Sequence, residues 1–111
     1  MKNINSALEI VQPSGLLDKN KALQFQQQIS DVVDRGASLV LVDFQDVTFM
    51  DSSGLGALLS AVKTVRAANG KLAVCSINHQ IRILFEIACV DTVIQVFPSR
   101  DDFKSAGFFA D

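Results

Sequence analysis

Leu39-Val40-Leu41-Val42-Asp43-Phe44 constrains the fold more than any other stretch of the chain. Its apolar side chains run on without alternating with polar ones, the pattern of a strand buried on both faces, and such strands belong to parallel sheets covered by helices. Asp46-Val47-Thr48-Phe49 continues toward Met50-Asp51-Ser52-Ser53-Gly54-Leu55-Gly56. Beyond that, Leu55, Leu58, Leu59, Val62 and Val65 recur at helical spacing before Gly70 stops them. The spacing predicts a helix over 54–68, with residues 50–56 forming a turn at its N-terminus.

The flanking segments repeat this alternation. Leu8-Glu9-Ile10-Val11 reads as a short strand closed by Pro13-Ser14-Gly15. Asp18 is placed to cap a helix with Ala22, Phe25, Ile29, Val32 and Val33 on one face, uncharged Gln24, Gln26, Gln27 and Gln28 on the other, and Gly36 as terminator. Residues 71–76 give a third strand. Asn78 or His79 opens a helix expected to bury Ile83, Leu84 and Ile87, and residues 92–97 give a fourth strand ended by Pro98. Ser99 and Asp102 have capping-box spacing for a last helix. Strands alternating with helices imply an α/β fold with a largely parallel sheet. At 111 residues the chain is expected to be a single domain, residues 1–111. Phe108-Phe109, near the C-terminus, either folds back on the core or serves as a docking tail.

Composition excludes several functions. The formal net charge of −2 and the absence of a basic stripe argue against a nucleic-acid binder. No apolar run approaches the ~18 residues of a membrane span, and Met1-Lys2-Asn3-Ile4-Asn5-Ser6 has no signal-peptide core, so a cytoplasmic protein is expected. Cys75 and Cys89 lack CxxC spacing and read as two small buried hydrophobes. Asp18, Asp43, Asp46 and Asp51 raise the question of Mg²⁺. A phospho-receiver site, however, needs an acidic pair at the end of the first strand, where Pro13-Ser14 stands. Enzymatic chemistry has little support: no phosphate-binding P-loop, no kinase constellation and no GxSxG elbow surrounds Ser52 or Ser53. A serine hydrolase would have to recruit His79, the single histidine, which reads as a surface residue at a helix start. Lys63 and Arg66 read as solvated charges.

The turn at 50–56 has its own chemistry. The first N–H groups of a helix lack internal partners and carry partial positive charge, so they favour anions. Two hydroxyls, Ser52 and Ser53, stand there, with Gly54 and Gly56 leaving the backbone uncrowded for a large partner. Asp51 or Ser53 can equally be a simple cap, worth about 1 kcal/mol.

The order Phe-Met-Asp-Ser-Ser-Gly-Leu-Gly at 49–56 resembles the phosphorylation-site motif of bacterial anti-sigma factor antagonists, the small single-domain members of the STAS family. Ser14-Gly15-Leu16-Leu17-Asp18 is similar to the Gly-x-Leu-Asp turn of that family, and Leu72-Ala73-Val74-Cys75-Ser76 and Ile83-Leu84-Phe85 resemble its later strand and helix. The resemblance implies a STAS fold: a small, mixed, mostly parallel sheet of four or five strands with about four helices. It implies phosphorylation on Ser52, Ser53 matching the neighbouring hydroxyl that is not the usual acceptor. It further implies a partner-binding surface at Asp18, Asp51, Ser52, Ser53, Gly54, Leu55 and Gly56. The implied partners are an anti-sigma factor that is also a serine kinase and a metal-dependent serine phosphatase, with no cofactor. The same family includes scaffolds of stress-signalling assemblies, subunits of lipid transporters and nucleotide-binding modules. Family members usually carry about one strand more before the Gly-x-Leu-Asp turn. The short N-terminal stretch here implies a missing strand or a differently built edge, and leaves open a monomer or a weak dimer paired through that edge.

Overall fold

The computed structural model describes residues 8–106. The expectations for the N-terminal stretch before Leu8 and for Phe108-Phe109 lie outside those residues. In chain order the elements are β1 (Leu8–Val11), β2 (Gly15–Leu17), α1 (Lys19–Asp34), β3 (Leu39–Asp43), β4 (Val47–Met50), α2 (Ser52–Ala67), β5 (Lys71–Cys75), α3 (His79–Ile87), a 3-10 turn (Val90–Thr92), β6 (Gln95–Phe97) and α4 (Arg100–Ser105).

Four strands form one parallel sheet in the order β1-β3-β5-β6. Parallel neighbours cannot be joined by a hairpin, so α1, α2 and α3 lie within the three connections. β3 is central and buried at every position. Alternation sends Val40 and Val42 into a core with Phe25, Ile29, Leu58, Val65 and Phe85, while Leu39 and Leu41 meet Ala73, Cys75, Phe97 and Phe103. The run at 39–44 is therefore apolar throughout because both of its faces are covered. Phe44 packs edge-on against Phe85 at 6.5 Å between ring centroids, and Phe97 does the same with Phe103 at 5.3 Å.

The stretch leading from the central strand to residues 50–56 is itself a strand, β4, which the sequence reading did not single out. The Val47 N–H donates to the Phe44 carbonyl at 3.0 Å, closing a tight turn that takes the chain out of the large sheet. β4 pairs instead with β2 in a separate two-stranded parallel sheet, with Leu16 opposite Phe49 and Leu17 opposite Met50. The Gly-x-Leu-Asp stretch is thus itself a strand, entered through Gly15 at φ 73° and a register shift between Gly15 and Leu16.

Three further details differ from expectation. α3 buries Ile81 and Phe85, leaving Ile83 42% and Ile87 76% exposed. The helix carries His79, Arg82 and Glu86 on its exposed side, and its buried stripe is Ile81 and Phe85, the latter packed against the Phe44 ring. The last strand is shorter than the apolar run at 92–97, because the Ile94 N–H donates to the Val90 carbonyl and holds the preceding residues in a turn. Cys89 is exposed at φ 57° in the turn after α3, whereas Cys75 is buried as expected.

Candidate functional site

Paired strands β2 and β4 end at paired residues, Leu17 and Met50, and each is followed at once by an aspartate that starts a helix. Asp18 Oδ1 accepts from the N–H groups of Asn20 at 3.0 Å and Lys21 at 3.3 Å, capping α1. Asp51 Oδ1 accepts from the Gly54 N–H at 3.0 Å, capping α2. The two helix starts therefore lie side by side, and the Asp51 N–H reaches the Leu17 carbonyl at 3.4 Å. Asp18 and the turn at 50–56, distant in sequence, are neighbours in space.

The helix expected from 54 starts two residues earlier, at Ser52, so most of residues 50–56 are the first turn of α2 rather than a turn before it, and they divide by exposure. Ser52, the first helical residue, is exposed, Ser53 is half-buried and Gly56 is exposed with open space where a side chain would stand. Gly54 and Leu55 are buried. The reading of Gly54 as a position left open for a partner is corrected. A Cβ there would lie 2.1 Å from the Leu17 carbonyl oxygen, so the glycine admits this chain's own β2 strand. No acidic residue occupies the first turn of α2 beyond the Asp51 cap, which leaves the helix dipole at Ser52 free to favour an anion.

Sequence reasoning missed two features around the turn. Leu16 and Phe49, paired across β2 and β4, are 54% and 45% exposed and form an apolar pair on the outside of the small sheet. In addition, α3 grips the other edge of β4. Gln80 Oε1 accepts from the Met50 N–H at 2.9 Å, and its Nε2 donates to the Met50 carbonyl at 2.7 Å. Asn78, expected as the α3 cap and found as such, also donates to the carbonyls of Val47 and Thr48. Side-chain contacts of this kind leave no periodic trace in a sequence.

The four aspartates do not converge. Asp43, fully buried at the end of β3, accepts from Arg100 Nε at 2.6 Å and from the Gln45 N–H, while Asp46 accepts from Gln12. Among the described residues no group of three or more His, Cys, Asp or Glu side chains is arranged to hold a metal. Burial pushes the Cys75 thiol up from its usual range, with the Ser76 hydrogen bond opposing that shift and the Asp43 charge adding to it. Arg66 is exposed, in line with its reading as a solvated charge, and also donates to the Val93 carbonyl at 2.8 Å, which ties α2 to the turn before β6. His79 stands exposed at the start of α3. No described helix is long and apolar enough to cross a membrane.

A parallel α/β sheet is joined by a second small sheet that leads into two aspartate-capped helix starts, one of them bearing Ser52 and Ser53. Residues 1–103 match the STAS domain, and the chain belongs to that family. It is 27% identical over 92 residues to the anti-sigma F factor antagonist of Paenibacillus polymyxa, covering 82% of this chain and 79% of the relative. It is 27% identical over 83 residues to the anti-sigma-B factor antagonist of Bacillus subtilis, covering 75% of each. Its fold is shared with the crystal structure of an anti-sigma factor antagonist from Mycobacterium paratuberculosis, at a TM-score of 0.80 and 24% identity over 90% of this chain and 85% of that one.

Proposed function

We propose that this protein is a cytoplasmic, non-enzymatic anti-sigma factor antagonist that works by partner switching. The unphosphorylated form binds an anti-sigma factor that is also a serine kinase, and so releases the sigma factor. The kinase moves the γ-phosphoryl group of ATP onto the Ser52 hydroxyl, which ends the complex, and a metal-dependent serine phosphatase hydrolyses the ester to reset it. The observation that carries this reading is the exposed Ser52 at the start of α2, next to the Asp51 cap. Support also comes from the relatives named as antagonists of anti-sigma factors.

The energetics fit a switch. Phosphorylation adds about 1.5 to 2 negative charges, which the free protein tolerates at an exposed helix start. Driving a complex from 99% to 1% occupancy takes about 5.5 kcal/mol. A charge buried without a partner supplies about 3 to 5 kcal/mol of that, and exclusion of a bulky phosphate from the contact at Asp18, Asp51, Ser52, Ser53 and Gly56 supplies the rest.

Two measurements test the proposal. Intact-mass spectrometry with site mapping, on protein recovered from its own cells, is expected to find phosphate on Ser52. Ser52→Asp is expected to keep the fold and lose the partner captured by the unphosphorylated protein. Equal affinity of the wild type and Ser52→Asp for that partner refutes partner switching through this turn.

A further inference from the structure

Among the described residues β4 has a strand on one side only. On the other side, Gln80 of α3 stands where the next strand would be. An extended residue presents its own N–H and C=O to the same side, and a paired strand answers both. A carboxamide carries the same donor and acceptor. Gln80 uses them in that way, accepting from the Met50 N–H at 2.9 Å and donating to the Met50 carbonyl at 2.7 Å. Asn78 prolongs the substitute edge toward Val47 and Thr48, both at 3.2 Å, while its Oδ1 caps α3 through the Ile81 N–H.

The place of this contact gives it a consequence. Met50 is fully buried and directly precedes the Asp51 cap, so the backbone that Gln80 holds is the backbone that aims Ser52. β2 restrains the same turn from the opposite side through Leu17, against which Gly54 packs. We infer that Gln80 is a positioning residue for the phosphoacceptor: its amide replaces a missing strand on β4 and holds the 50–52 backbone where the Ser52 hydroxyl is presented to the kinase. The inference rests on the proposed phosphorylation of Ser52. Reactant placement is the reason it affects rate, since transfer requires an attacking hydroxyl held in line and a small displacement slows it. Neither neighbouring side-chain chemistry can replace the amide. A glutamate keeps the acceptor and loses the donor, and a leucine loses both.

The test uses the full chain as Gln80→Glu and Gln80→Leu beside the wild type at neutral pH. Nuclear magnetic resonance of labelled protein is expected to show Gln80→Glu moving the Met50 carbonyl-carbon signal and the Asp51 and Ser52 amide signals. Gln80→Leu is expected to move the Met50 amide as well, and the signals of the central sheet stay in place in both. Phosphate occupancy on Ser52, measured by mass spectrometry on each variant produced in its own cells, is expected to fall by about threefold or more. A general loss of fold would move the sheet signals too, and Gln80→Glu, isosteric with the native side chain, guards against it. Unmoved signals at Met50 to Ser52 overturn the inference. Phosphorylated wild type together with equally phosphorylated variants overturns this inference alone, whereas wild type that never carries phosphate on Ser52 overturns partner switching and the inference with it.

Discussion

Replacing Gly54 with Ala adds one methyl group at a point where α2 has no room. The new Cβ would lie 2.1 Å from the Leu17 carbonyl oxygen and 3.0 Å from both the Leu17 carbonyl carbon and Met50 Cγ. Carbon and oxygen approach no closer than about 3.3 Å without repulsion, so the start of α2 and β2 must separate by about 1 Å. The offending atom is backbone, tied into the β2–β4 pairing, and no side-chain rotation relieves it. Overpacking of this kind costs about 1 to 3 kcal/mol, and the upper end applies where backbone must move. Replacing a helical glycine with alanine returns about 0.5 to 1 kcal/mol, leaving a net loss of about 2 kcal/mol. Gly56 is the control two residues away, with nothing within 4 Å of the added carbon. Gly56→Ala should gain about 0.5 to 1 kcal/mol. Equilibrium unfolding in urea reads both: at a slope of about 2 kcal/mol/M, Gly54→Ala lowers the midpoint by about 1 M and Gly56→Ala raises it slightly. A Gly54→Ala midpoint at or above the wild type refutes the close-approach account of this turn.

Other outcomes follow from the same structure. Arg100→Met strands the buried Asp43 carboxylate with the Gln45 N–H, and should cost about 2 to 3 kcal/mol after allowance for the partly exposed guanidinium. Arg100→Met combined with Asp43→Asn should recover part of that loss in a double-mutant cycle, and strict additivity of the two losses would show no coupling. In the native protein a thiol reagent at pH 7 to 8 should modify Cys89 quickly and Cys75 slowly, because burial raises the Cys75 pKa and keeps that thiol protonated. Two thiols titrating at one rate would contradict this. Ile87→Glu should change stability by less than about 0.5 kcal/mol, whereas Phe85→Ala should cost about 3 to 5 kcal/mol. Thermal unfolding of the two variants separates them, and comparable losses would place the buried stripe of α3 elsewhere.

Much of the candidate site was legible in the chain. Asp18, Asp51, Asn78 and Ser99 were readable as caps or as the opening of a capping box, and each accepts a bond from the first turn of its helix. Capping depends on residues within one turn of each other, so a linear reading reaches it. The exposed pair Leu16 and Phe49, and the grip of Gln80 on Met50, were not legible. Each depends on residues about 30 apart that only the folded chain brings together. Gly54 shows the same limit from the other direction: its presence was plain, but its reason was the Leu17 carbonyl, which no neighbouring residue announces.

The sequence by itself determined the α/β class, the buried central strand and the residues able to cap the helices, because apolar period and capping are properties of a few consecutive residues. The tertiary structure decided which sheet β4 joins, which apolar residues of α3 turn inward, and how the backbone at Ser52 is held. Those choices turn on what stands opposite: the Phe44 ring facing Phe85, β2 facing β4, and the Gln80 amide facing Met50. Burial and hydrogen-bond satisfaction are settled between partners distant in the chain, and neither partner alone carries the answer.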